Sequence, residues 1–477
     1  MRPCYLAVDI GASSGRVIAG EVDAAGKISL TEVFRFPNGA AQRTGHLVWD
    51  LDALFDEVVR GMAEAKRQGF APVSVAIDTW AVDYVLLDKR DRRIGPVYAY
   101  RDSRTEGVRE MLEEQGILSF SEHYARCGIQ YQPFNTCYQL LAQKRDAPED
   151  FGRACSFLMV PDYLNFRLCG VKANEYTNAS TTALVDARTK VWDQELLERL
   201  GLPRDIFSGP TMPGCVLGEL LPEVAERVGY QTKVVLPATH DTGSAWLAVP
   251  AKDDHTAYLS SGTWSLLGCE LEEPVTTEES RKANFTNEGG YEGRFRYLKN
   301  IMGLWMIQNV RRECPKADGT LPGWGELVEG ARAAAKAGFA SSVDADDGRF
   351  LAPESMAEEL EAACRESGQD VPDTPGKLAV TVFRSLAKDY AATVKELSRL
   401  TGREYSTIAI VGGGSQNQYL NELCAEESGL SVTAGPMEGT ALGNLIVQAI
   451  TQGDFGTLAE ARAAIRKSFE IKEVMSR

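Results

Sequence analysis

Short apolar runs alternate with amphipathic stretches along most of the chain, the pattern of an α/β protein. Residues 5–10, 16–22 and 27–35 are predicted as three strands, joined by turns at 11–15 and 23–26. A helix follows over Leu51–Arg67, with Asp50 at its cap position and Gly69 just beyond its end. Residues 73–77 form a largely apolar run broken by Ser74, which suggests a strand of the buried kind.

The second half repeats this order. Residues 257–260 and 264–269 are predicted strands around Ser261-Gly262-Thr263, residues 294–298 a third strand, and 301–312 an apolar helix. A long helix is predicted over 375–400, with Thr374 as cap, Pro375 in its first turn and Gly402 as stop. Leu378, Val382, Leu386, Tyr390, Val394 and Leu397 recur every three or four positions along it. The strand Thr407–Val411, a triple glycine and a helix through Asn421 follow.

Each half therefore opens with a strand, a turn of small and hydroxyl residues, and a returning strand. Two similar domains with a cleft between them are the expected architecture, cut near Gly243 because residues 211–243 read as loop-rich. The expected domains are 1–243 and 244–477, with a peripheral helical insertion at about 315–372.

Composition narrows the partners. The 477 residues carry 51 Lys+Arg against 67 Asp+Glu, a net charge of −16, which argues against nucleic acid or an anionic membrane as partner. Ten scattered cysteines and four histidines, at 46, 123, 240 and 255, form no zinc-ligand spacing. No signal-peptide pattern opens the chain and no apolar run approaches the ~18 residues that span a bilayer. A cytoplasmic protein with reduced thiols is the expectation, as monomer or homodimer.

Several segments carry chemistry. In Asp9-Ile10-Gly11-Ala12-Ser13-Ser14-Gly15-Arg16, small residues let backbone N–H groups approach an anion, and Asp9 is placed to hold Mg²⁺. A plain hairpin accounts for this turn equally well. The turn at Thr263 has the same character, and two such turns in two similar halves suit a phosphate chain better than either alone. Gly412-Gly413-Gly414 between strand and helix permits contact with a nucleotide, although the dinucleotide fingerprint fails at Asn417. Asp241, in Thr239-His240-Asp241-Thr242, suits a general base toward a hydroxyl or, equally, a helix cap. The aromatic, carboxylate and arginine residues of 80–104 suit polyol recognition, with core packing and surface ion pairs as the alternative.

Taken together, these segments resemble the FGGY carbohydrate kinases. The resemblance runs from DIGASSGR (9–16) through IDTWAVDYVLLD (77–88), AYRDSRT (99–105), GIQYQPFNT (128–136), EYTNASTT (175–182), THDTGSAW (239–246), YLSSGTWSLLG (258–268) and YLKNIMGLW (297–305) to EGTALGN (438–444). It implies two actin-like (ribonuclease H-like) ATPase domains with sugar and ATP meeting in the interdomain cleft. Asp241 then matches the catalytic base, and Ala81, His240, Thr242 and Asn300 match sugar contacts. Ala12, Ser13, Ser14, Gly15, Arg16, Thr263, Gln308 and Gly413 match ATP contacts. At Ala81 a glycine is the family's expected residue. The implied reaction is ATP- and Mg²⁺-dependent phosphorylation of L-rhamnulose at O1 in rhamnose metabolism, with fuculose or xylulose as alternative ketoses. Trp80, Tyr131 and Phe134 are candidates for an apolar wall facing the 6-deoxy methyl. An actin- or chaperone-like ATPase without a sugar is the distant alternative.

Overall fold

The computed structural model describes residues 1–475. The chain divides into two compact units. The first comprises Met1–Ala248, Glu270–Tyr297 and Gly439–Ser468; the second comprises Val249–Cys269, Leu298–Glu438 and the segment from Phe469. Each unit is assembled from separate stretches of the chain, and Gly243 lies inside the helix Asp241–Leu247.

In the first unit a six-stranded sheet runs in the order Cys215–Glu219, Lys233–Leu236, Phe70–Thr79, Arg2–Ile10, Ser14–Val22, Ile28–Pro37. Arg2–Ile10 pairs antiparallel with Ser14–Val22 and parallel with Phe70–Thr79. Leu6, Val8 and Ile10 pack into a core with Leu51, Leu54, Phe55, Val58 and Met62 of the helix Leu51–Arg67. Asp50 caps that helix as expected, its carboxylate accepting from the Ala53 N–H. The opposite face of the sheet is covered by the helix Gly439–Gln452, whose Leu445 lies against Gly20. Cover on both faces suits the largely apolar central stretches of these strands.

The second unit repeats the arrangement. Thr256–Ser261 pairs antiparallel with Trp264–Leu271 and parallel with Thr407–Val411, which continues in parallel to Ser431–Ala434. The long helix is Pro375–Thr401; Thr374 caps it and Gly402 ends it in the left-handed region at φ 67°. The region 315–372 is helical, with Trp324–Lys336 and Met356–Glu366.

Two expectations need correction. The apolar run 301–312 is not one helix: Ile301 and Met302 complete the buried strand Phe295–Met302, and the helix is Trp305–Glu313. A short apolar run has no period that separates strand from helix, and here Gly303 divides the two. The stretch 211–243 is not loop-rich either. Its prolines and glycines bound short elements, the strand Cys215–Glu219, the helix Pro222–Val228 and the strand Lys233–Leu236.

Candidate active site

Two carboxylates stand near the C-terminal ends of neighbouring parallel strands in the first unit, the usual place for ligands in such sheets, and a third lies close by at a helix start. Asp9 and Asp78 are register partners on Arg2–Ile10 and Phe70–Thr79. On the next strand position, Thr79 bridges His240, and the Thr79 N–H donates to the Thr239 carbonyl at 2.9 Å. Asp241 is therefore not at a strand end but five residues beyond Lys233–Leu236, as the first residue of a helix. The cap position belongs to His240, which makes no side-chain cap bond, so Asp241 does not serve as the helix cap and its carboxylate is half-buried. Its Oδ1 accepts from the Thr242 N–H at 2.5 Å and the Thr242 hydroxyl at 3.1 Å.

The turn at 10–14 is closed by Gly11 N–H donating to the Ser14 carbonyl at 2.9 Å. Asn38 braces it, its side-chain amide donating to the Gly11 carbonyl at 2.8 Å. Ala12 and Ser13 form the turn, while Ser14, Gly15 and Arg16 already belong to the strand Ser14–Val22. Arg16 points back across the hairpin, with Nε and Nη2 at 3.0 and 2.8 Å from Asp9 Oδ2. It is thus committed to Asp9 in this state.

Residues that the sequence reading passed over hold this constellation in place. Glu175, fully buried, accepts from Thr177 N and Oγ1 at 2.8 and 2.5 Å, and from Asn178 N at 3.2 Å. It also accepts from Thr239 N and Oγ1 at 3.0 and 2.9 Å, which ties the Thr239–Asp241 segment to the helix Tyr176–Ser180. Burial nevertheless raises the Glu175 carboxyl above its ordinary value. On the other side, Asn444 Nδ2 donates to Asp78 Oδ2 at 2.6 Å and to the Ala76 carbonyl at 3.1 Å. Burial and the neighbouring Asp9 charge push the Asp78 carboxyl well above the usual range. One turn further, Gln448 donates to the Leu6 carbonyl at 2.9 Å and accepts from Ser74 at 2.7 Å. Gly443 makes the close approach possible, because a Cβ there would overlap the Ser244 carbonyl oxygen of the Asp241 helix. The EGTALGN segment thus serves as a bolt between two walls of the site.

Behind Asp241 lies a buried group of charges. Arg296 Nη2 sits 2.9 Å from His240 Nδ1 and 3.0 Å from Glu288 Oε2. Burial pushes the Glu288 carboxyl up, but Arg296 and His240 outweigh it and hold the group at about 2.

Near the expected sugar contact, Ala81 is half-buried and Val82 has φ 67°, a costly conformation for a β-branched residue. Asp83 stabilises it from within. Its carboxylate accepts from Trp49 Nε1 (2.7 Å), Trp80 Nε1 (2.9 Å), Gln139 Nε2 (2.9 Å) and Tyr100 N (3.1 Å). Burial raises this carboxyl to about 6 despite those donors. Trp80 is consequently a core residue, 6% exposed and packed 4.2 Å from Trp49 between ring centroids, and offers no wall to a sugar. Phe134 is half-buried, edge-on to Tyr100 at 5.4 Å; Tyr131 lies under Arg109 at 4.1 Å.

The second unit assembles its own group. Thr263 is exposed on the turn between Thr256–Ser261 and Trp264–Leu271, where Leu304 N–H donates to the Gly262 carbonyl and Trp305 N–H to the Thr263 carbonyl. This anchors the helix carrying Gln308 to the turn. The triple glycine abuts the same turn, since a Cβ at Gly414 would overlap the Ser261 hydroxyl, and Gly413 is exposed beside it. Asn300 lies half-exposed in Phe295–Met302, next to Lys299, whose ammonium pairs with Asp346 at 2.7 Å. Among the described residues no cluster of three or more His, Cys, Asp or Glu side chains forms a metal cage, and no helix is long and apolar enough to cross a membrane.

Known proteins carry the same organisation. Residues 4–248 match the N-terminal domain of the FGGY family of carbohydrate kinases, and residues 257–452 its C-terminal domain. A Halalkalibacterium halodurans protein named rhamnulokinase is 47% identical over 471 residues, covering 99% of this chain and 98% of that protein. The Bacillus subtilis rhamnulokinase is 42% identical over 469 residues, covering 98% and 94%. In fold, the gluconate kinase of Lactobacillus acidophilus superposes with a TM-score of 0.81 at 16% identity, covering 100% of this chain and 94% of that one. Plasmodium falciparum glycerol kinase with ADP gives 0.76 at 15% identity, covering 98% and 94%. With family matches across both parts of the chain and full-length relatives above 40% identity, the chain belongs to the FGGY family of carbohydrate kinases.

Proposed function

We propose that this enzyme transfers the γ-phosphoryl group of ATP to O1 of L-rhamnulose, giving ADP and L-rhamnulose 1-phosphate. The observation that carries the mechanism is the lopsided bonding of Asp241. Thr242 occupies Oδ1 twice, whereas Oδ2 has no protein partner among the described residues. Oδ2 takes the O1 proton as O1 forms a bond to the γ-phosphorus and the bond from that phosphorus to the β–γ bridging oxygen breaks. His240 and Thr242 flank the base as sugar contacts, with Ala81 and Asn300 as further contacts. The N–H groups of the Ala12–Arg16 turn, with Thr263, Gln308 and Gly413, hold the nucleotide.

On this reading residues 1–243 carry the base, the first phosphate turn and the sugar contacts other than Asn300, and residues 244–477 carry Asn300 and the nucleotide site. A single carboxylate, Asp9, with Arg16 already on one oxygen, suits a Mg²⁺ that arrives with the ATP phosphates and keeps most of its waters. The ion supplies charge neutralisation at the transferring phosphoryl. Because ATP and ketose are cytosolic solutes, the enzyme acts in the cytoplasm.

The test is ADP formation across L-rhamnulose, L-fuculose and D-xylulose, with wild type and Asp241→Asn. L-Rhamnulose should have the highest kcat/KM, and Asp241→Asn should lose at least about 100-fold in kcat while binding ATP normally. Near-normal turnover by Asp241→Asn refutes the assignment of the base. A higher kcat/KM for another ketose refutes the substrate but not the kinase.

A further inference from the structure

His240 is held from behind by an ion pair with no evident surface role. Arg296, 1% exposed, and Glu288, 9% exposed, lie on the strands Phe295–Met302 and Phe285–Gly289. Arg296 Nε donates to the Gly289 carbonyl at 2.9 Å, which fixes the plane of the guanidinium. Its Nη2 then lies 2.9 Å from His240 Nδ1, while Glu288 Oε2 is 3.3 Å from the same nitrogen.

A guanidinium has donors and no acceptor. At 2.9 Å its N–H needs a lone pair on Nδ1. A hydrogen on Nδ1 would serve only the longer Glu288 contact and would set two N–H groups against each other. The ring hydrogen of the neutral imidazole therefore belongs on Nε2. That nitrogen is 3.5 Å from Asp241 Oδ1, too far for a good hydrogen bond, and Thr242 already donates to that oxygen, so the Nε2 hydrogen is left for another acceptor.

The remaining charges around the ring fit this arrangement. Asp241 lies on the ring's own helix, and Asp78 ends the adjacent strand, with Asn444 donating to it. Glu288 neutralises the buried Arg296, which itself never deprotonates, so the donor to Nδ1 is permanent.

We infer that Glu288 and Arg296 are positioning residues that fix His240 as the Nε2–H tautomer, making it a hydrogen-bond donor to an oxygen of the ketose. The donor role rests on the sugar-kinase reading above; the tautomer does not. The pair acts through His240 and touches no substrate atom itself.

The tautomer is read directly from long-range ¹H–¹⁵N imidazole spectra of the intact chain. Only four histidines contribute, and His240→Gln identifies the signals of interest. The wild type should show the Nε2–H pattern at neutral pH. The double variant Glu288→Leu/Arg296→Met removes both charges together, and apolar replacement of a buried ion pair is commonly near-neutral for stability. It should show a mixture of tautomers and a KM for the ketose raised roughly 10-fold, with KM for ATP within twofold of wild type.

An Nδ1–H pattern in the wild type overturns the inference whether or not the variant folds. A variant that keeps the Nε2–H pattern also overturns it. A changed tautomer with an unchanged ketose KM overturns the donor role. Absence of turnover with any ketose overturns the kinase reading and the donor role together, while the wild-type spectrum decides the tautomer by itself.

Discussion

Replacing Glu175 by Gln tests how the segment carrying the proposed base is held. The carboxylate accepts five hydrogen bonds, one on Oε1 from Thr177 N and four on Oε2 from Thr177, Asn178 and Thr239. Gln keeps the shape but offers one accepting oxygen. In its best orientation that oxygen serves the four donors, and its NH₂ faces the Thr177 N–H. One orphaned donor costs about 1–3 kcal/mol, and four bonds to a neutral acceptor are each about 1 kcal/mol weaker than to a charged one. Relief from burying a charge offsets several kcal/mol of this. A net loss of about 1–3 kcal/mol follows, or a Tm lower by roughly 2–10 °C. Thr239 stands two residues before Asp241, and a shift of about 1 Å at a catalytic group costs up to ~100-fold. The coupled ADP assay should show kcat lower by roughly 10- to 100-fold, with KM for ATP unchanged. A variant with kcat within about twofold of wild type and the expected drop in Tm would show that Glu175 supports the fold but not the geometry of catalysis.

Further outcomes follow from the same contacts. Gly443→Ala drives a methyl into the Ser244 carbonyl and should cost about 1–3 kcal/mol in thermal or urea unfolding, with kcat falling as the Asp241 helix is displaced. Asp83 has its carboxyl raised by burial to about 6, so its stabilising contribution is full below the unfolded value and is lost as pH rises through about 6. The stability gap between wild type and Asp83→Asn should therefore narrow by about 2 kcal/mol from pH 4 to 7 in urea melts. A constant gap would contradict the burial argument. Asp9→Asn should raise the Mg²⁺ concentration for half-maximal rate several-fold, measured after chelator treatment and titration with the ion. An unchanged Mg²⁺ requirement would exclude Asp9 as its ligand.

What could be read from the sequence is what local rules encode. The cap at Asp50, the stop at Gly402 and the strand Thr407–Val411 each follow from a few adjacent residues, and the structure places them as expected. The two hairpin turns and Asp241 have local uses as well, a plain hairpin and a helix cap, and only the resemblance across many segments marks them as candidate site residues. The helix start at Trp305 differs from the expected 301 because a short apolar run has no diagnostic period, and of the two roles open to Trp80 the structure shows core packing, because burial is not written in one side chain. Only the tertiary structure joined Glu175 to Thr239, Asn444 to Asp78, and Glu288 and Arg296 to His240. Those partners are 64, 366, 48 and 56 positions apart, by subtraction of their residue numbers. Their chemistry depends on burial and on an angle between donor and acceptor, and neither exists until sheet, helix and loop have packed together.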